Sequence, residues 1–255
     1  VTTAVFDTVA PSTGAQRIGS VLKLHLANPW TTIVLPWIIL GIIFAANLAL
    51  WWIIYLAAPG AKDRADVSQG LQYSGASFYI LVYMMVVAVQ AINITFPFAL
   101  GFGVTRKDYY LGTSVLFMLL SIFYSVGLTI LSVIEDATNG WGLGGHMFTA
   151  IYFGANWQER LFIFFVGLLF FFFLGASVAT LYVRWRANGL IAFFVTLTVL
   201  AIGSIAWLTL GGSWDSFGAF FATSGLVGSV AWSLVITLVA GVTGYFVLRG
   251  ATPRN

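Results

Sequence analysis

The sequence predicts an all-α integral membrane protein of six transmembrane helices, and three observations carry that expectation. Hydrophobic residues fill 60% of the 255 positions and charged residues only 7%, where a soluble domain carries roughly 25% charged. The apolar residues gather into runs near the ~20 that a helix needs to cross ~30 Å of hydrocarbon. The basic residues are divided unevenly among the connections, which orients the bundle. Barrel strands do not fit, because lipid demands internally satisfied backbone and these runs are too long and too uniformly apolar for strands of about 10 residues.

The spans are expected at 33–57, 78–103, 112–134, 160–183, 189–210 and 227–248, within a single transmembrane domain covering 1–255: an N-terminal segment, 1–28, and a six-helix bundle, 29–255. With the N and C termini cytoplasmic, Arg17, Lys23, Arg106, Lys107, Arg184, Arg186, Arg249 and Arg254 lie inside, and Lys62, Arg64 and Arg160 outside. Eight against three satisfies the positive-inside rule. The net charge of +3 is thereby spent on orientation, and no nucleic-acid partner is expected.

Taken in chain order, Arg17 to Ala27 reads as an amphipathic interface helix. Ile18, Val21, Leu22 and Leu26 share one sector, Arg17, Ser20, Lys23 and Ala27 the other, and Leu24 intrudes on the polar face. Such a helix lies in the inner headgroup plane; a partly ordered tail is the alternative. His25 is expected to be interfacial rather than a ligand. Asn28 and Pro29 mark a break and a fresh helix start.

Span one carries Asn47 near its middle, and span two carries Gln90 and Asn93, three apart and so on one helix face. Amides at that depth need a partner or a cavity. One reading sets Asn47, Gln90 and Asn93 on a central substrate path with Phe96 as an aromatic wall. The other is interhelical hydrogen bonding that fixes packing, worth about 0.6 kcal/mol per contact.

Between spans two and three the chain reads FPFALGFGVTRKDYYLG, residues 96–112. Pro97 should kink the end of span two, and Gly101 and Gly103 loosen it. Thr105 followed by Asp108 has the spacing of a capping box, which predicts a short helix starting at Thr105. It presents Arg106 and Lys107 to the cytosol and Tyr109 and Tyr110 to the interface, then runs into span three.

The outer connection 135–159 holds Glu135, Asp136 and His146, a spacing that matches no metal-ligand pattern and reads as solvated loop chemistry. Its aromatic residues suit an interface. Phe170 to Phe173 in span four are expected to face lipid. Gly211 to Leu226 is apolar and short, so it either dips into the outer leaflet or lies flat as a helix. In span six, Gly225, Ser229, Ser233, Thr237 and Gly241 form a small-residue stripe that suits close helix packing, within the chain or across a dimer seam.

There is no cysteine, which removes thiolate chemistry, and no glycine-rich loop ending in Gly-Lys-Ser or Gly-Lys-Thr, so no nucleotide site is expected here. No catalytic or metal residue is assigned. The absence of ionisable residues deep in the spans argues against proton or ion coupling.

The run Pro97, Gly101, Gly103, Thr105, Arg106, Lys107 and Tyr109 between two spans resembles the inner connection of permease subunits of bacterial type V ATP-binding-cassette exporters. The interface helix, six spans and apolar outer segment before the last span are similar to that family too. The resemblance implies that residues 104–111, with Thr105, Arg106, Lys107, Asp108 and Tyr109, couple to a separate cytoplasmic ATP-binding subunit. It further implies that ATP and Mg are bound by that partner, that a second permease copy or a similar permease completes the pore, and that transport runs outward from a bacterial inner membrane. In one respect the chain departs from the family: no acidic residue in the inner half of the spans can brace the coupling segment, leaving Asp108 as the candidate. A substrate-binding membrane subunit or a sensor without its own pumping role is the alternative, and an enzyme using the outer acidic loop a third.

Overall fold

The computed structural model describes residues 13–58 and 60–250; the first twelve residues of the N-terminal segment, the C-terminal end and Arg254 lie outside the described residues. The described residues are predominantly helical, with no strand among them. Helix α1 spans Gly14–Leu26, α2 Trp30–Ala57, α3 Ala61–Leu71, α4 Phe78–Gly101, α5 Arg106–Ala137, α6 Trp157–Leu210 and α7 Trp214–Arg249. Five of them, α2 and α4 to α7, are long and apolar enough to cross a membrane, the make-up of a multi-pass membrane protein.

Helix α6 is 54 residues long, roughly 80 Å at 1.5 Å per residue, far more than one bilayer crossing. It is not continuous. Arg186 takes φ 57, ψ −146, which leaves the helical region and divides the element in the stretch where the sequence predicts the turn between spans four and five. Helix α7 breaks likewise at Gly225, φ 65 and ψ −178, a conformation that glycine adopts at little steric cost. Residues 214–224 thus form a helical piece of their own ahead of the final long segment.

The core lies where α6 meets α4, α5 and α7. Phe117 of α5 stacks on Phe172 of α6 with centroids 4.7 Å apart, and Phe173 meets the same ring edge-on at 5.7 Å. Phe172 is fully buried, which corrects the lipid-facing expectation for that run: four consecutive phenylalanines cover the whole circumference of a helix, so one must face inward. Gly244 of α7, outside the expected small-residue stripe, lets Tyr110 and Ser177 approach closely, since an added Cβ would sit 2.7 Å from the tyrosine oxygen.

Helix α1 starts with a reciprocal cap that the sequence reading missed: Thr13 N–H donates to Gln16 Oε1 at 2.8 Å and Gln16 N–H to Thr13 Oγ1 at 3.4 Å. It packs along α5, with Val21 seated over Gly112, where a Cβ would lie 2.7 Å away. Val21 is fully buried and Leu24 partly so, whereas Leu26 is exposed. The inward face is therefore rotated from the expected sector toward His25.

The far end of the bundle is closed by 138–156, and its organiser is Glu135. This side chain is fully buried. Its carboxylate accepts from Trp141 Nε1 at 3.0 Å, from the backbone N–H of Met147, Phe148 and Thr149 at 3.1, 3.0 and 2.8 Å, and from Thr149 Oγ1 at 2.7 Å. Next to it, Arg160 pairs with Asp136 and donates to the carbonyls of Gly154 and Ala155 at 3.2 and 3.1 Å. The expectation of merely solvated loop carboxylates is corrected: Glu135 ties the loop to the bundle.

Candidate functional site

Two prolines shape the end of the bundle that carries α1. Pro36 and Pro97 lack the N–H that an α-helix would offer to the carbonyls of Thr32 and Asn93, and a proline ring crowds the carbonyl four residues back. Each helix responds with one π turn just before its proline, Trp30–Val34 in α2 and Ala91–Thr95 in α4. Leu35 N–H reaches Trp30 O, and Phe96 N–H reaches Ala91 O, five residues apart instead of four. The expected kink at Pro97 is this π turn; the one at Pro36 was legible by the same rule and was not expected.

Carbonyls freed in apolar surroundings need donors; two tyrosines supply them in α2, and a third adds a second donor to Ala91 O, which already accepts from Phe96 N–H. Tyr83 OH donates to Thr31 O at 2.8 Å, Tyr124 OH to Thr32 O at 2.7 Å, and Tyr109 OH to Ala91 O at 2.5 Å. Helices α2, α4 and α5 are thereby fastened at the two turns.

Between the turns lies a cavity of about 470 Å³, roofed by α1 and lined by polar groups from His25, Asn28, Thr31, Thr32, Gln90 and Thr95 against apolar walls. Gln90 is exposed. The hydroxyl of Thr32 is buried without a hydrogen-bond partner. His25 Nε2 lies 3.0 Å from Thr113 Oγ1 and its ring 5.6 Å from that of Tyr109; burial pushes its pKa down from 6.5 to about 4, so it is neutral at pH 7.

Beneath this cavity Thr105 begins α5 as expected. Its Oγ1 accepts from Asp108 N–H at 3.1 Å and donates to Asp108 Oδ2 at 2.8 Å. The same carboxylate meets Arg17 Nε of α1 at 3.1 Å. Gly103, at φ 78, makes the turn that precedes the cap. Arg106 Nη1 donates to Arg249 O at 3.0 Å, which links the start of α5 to the end of α7, and Lys107 is exposed. One difference stands out: α5 is a single helix of 32 residues, so the segment 104–111 is the first turns of a long rod rather than a separate short helix. Tyr109 and Tyr110 are buried at 0% and 6% exposure, not interfacial, because the capped start turns them toward α4 and α7; Tyr110 OH donates to Gly241 O at 2.6 Å.

The four residues expected along a substrate path are not brought together in this cavity. Gln90 lines it, whereas Asn47 and Asn93 do not. Asn47 Nδ2 donates to Ile43 O of its own helix at 2.9 Å. Asn93 Oδ1 is buried without a partner, and the π turn between it and Gln90 removes the shared face that a regular helix would give. Phe96 is fully buried against Tyr109, centroids 5.2 Å apart, a core position. No group of three or more potential metal ligands exists among the described residues. Comparison with protein-family models, with curated proteins and with solved structures finds no match to this chain.

Proposed function

We propose that this chain is the transmembrane subunit of an ATP-driven exporter, moving an amphipathic or lipid-like substrate outward with energy from a separate cytoplasmic ATPase that binds ATP and Mg. The observation that supports the reading best is the braced start of α5. Thr105, Asp108 and Arg17 lock α5 to α1, Arg106 holds the end of α7, and Tyr109 and Tyr110 anchor the same turns to α4 and α7. A push on the exposed Lys107 side of that node is transmitted to four helices at once, and along a rigid rod 32 residues long. The acidic brace that the sequence lacked within the spans is supplied by Asp108 itself.

In this reading the breaks at Arg186 and Gly225 divide the apolar helices into six spans, the α1 end faces the cytoplasm of a bacterial cell, and α1 lies among the inner headgroups. Residues 187–210 are apolar and exposed along most of their length, which suits a second permease copy or lipid. The route past Asn47, Gln90, Asn93 and Phe96 opens only if α2 and α4 move apart, and the two π turns are where such a movement would hinge.

The test is co-purification of a cytoplasmic ATPase subunit with this chain, followed by ATPase and transport assays on Arg106→Ala with Asp108→Asn. Stimulation of the ATPase by the permease is expected to fall to the basal rate with the protein still folded; unchanged transport would sink the coupling role. The cavity beside Gln90 favours a second reading, a substrate-capturing subunit, for which a monomer retaining a ligand and no ATPase is the expected finding.

A further inference from the structure

We propose that the cavity between the two π turns binds an amphiphile with an uncharged, hydroxyl-rich head and a hydrocarbon tail. Its polar lining is short of partners. Among the described residues, Gln90, in the middle of an apolar helix, makes no side-chain hydrogen bond, the Thr31 hydroxyl makes none, and Thr32 Oγ1 is buried and unpaired. An amide or hydroxyl left without a partner in apolar surroundings costs roughly 1–3 kcal/mol, so this wall calls for polar atoms opposite it. A sugar or glycerol head offers both donors and acceptors, which a Gln amide can meet in either sense.

The charge of the head follows from what is missing around it. Among the described residues, no Lys, Arg, Asp or Glu lines the cavity. His25 is occupied by Thr113 and neutral. An ionised head would lose its hydration with no countercharge to replace it. A volume of about 470 Å³ falls within the ~300–1,000 Å³ of small-molecule sites. It suits a head and the first part of a tail. Ile94 and Phe98, 68% and 56% exposed, form the outer lip, so the rest of the tail leaves sideways into the bilayer. As the loading site of an exporter the cavity rests on the function proposed above, whereas binding is measured without any ATPase, so the two can fail separately.

The experiment uses the full chain in phosphatidylcholine nanodiscs and a monoacylglycerol carrying a photoreactive diazirine in its tail. Saturable crosslinks are expected within residues 24–32 and 87–98, competed by monooleoylglycerol but not by oleate or oleylamine. Gln90→Leu with Thr31→Val should raise the half-saturating concentration by about tenfold or more. Ala27→Trp, at an exposed position on the rim, keeps every polar group and should block labelling by filling the mouth. Thermal unfolding of each variant identifies any that misfolds, and the competition series on the unaltered chain stands without them. Non-saturable labelling spread over the exposed faces of α6 and α7 would overturn the site. Equal competition by oleate would overturn the uncharged head.

Discussion

Replacing Glu135 by Gln changes almost no volume, which makes it a clean probe of the far-end cap. The carboxylate accepts five hydrogen bonds, three on Oε1 from Phe148 N–H, Thr149 N–H and Thr149 Oγ1, and two on Oε2 from Trp141 Nε1 and Met147 N–H. A Gln amide keeps one oxygen and turns the other acceptor into a donor. In the better orientation the oxygen retains the three-bond side, and the new NH2 faces the indole and the Met147 amide, donor against donor. Two charge-assisted bonds are lost at about 1.5–3 kcal/mol each, or about 3–6 kcal/mol in all. At 1.4 kcal/mol per tenfold, the local opening constant of the loop should rise by at least about 100-fold. Amide hydrogen exchange at Met147, Phe148 and Thr149 reads this directly, with α4 and α5 amides as internal controls. Protection that changes less than about threefold would refute the claim that Glu135 organises the loop.

Three other perturbations separate the remaining contacts. Tyr124→Phe should destabilise by about 1–3 kcal/mol by orphaning Thr32 O; Pro36→Ala restores a backbone donor, so the same substitution in that background should cost less than half as much in equilibrium unfolding. Gly112→Ala would place a Cβ 2.7 Å from Val21 and should lift α1 at about 1–3 kcal/mol; because the chain has no cysteine, maleimide labelling of Val21→Cys should go from slow to fast. His25 has a folded pKa of about 4, below its unfolded 6.5, so α1 docking is fully favourable above pH 6.5 and weakens as pH falls toward 4. The loss amounts to at most about 3 kcal/mol; a spin label on α1 should loosen in that window, and His25→Leu should abolish the pH response.

The features legible in the sequence are those that one helix decides alone. Run length and apolarity marked the long helices, Thr105 and Asp108 three apart marked where α5 starts, Pro97 marked the distortion before it, and Arg17 to Ala27 came close to the bounds of α1. All are set by contacts within a turn or two. What faces what was beyond reach, for a physical reason: in lipid a helix is apolar around its whole circumference, so periodicity does not separate protein-facing from lipid-facing sides. Only tertiary structure could put Phe172 in the core, pair Arg17 with Asp108 and carry the Tyr109, Tyr110 and Tyr124 hydroxyls to backbone carbonyls on other helices. Glu135 is the sharpest case. Its sequence surroundings read as a wet loop, and the donors that bury it arrive 6 to 14 residues later, once the chain has folded back over the end of the bundle.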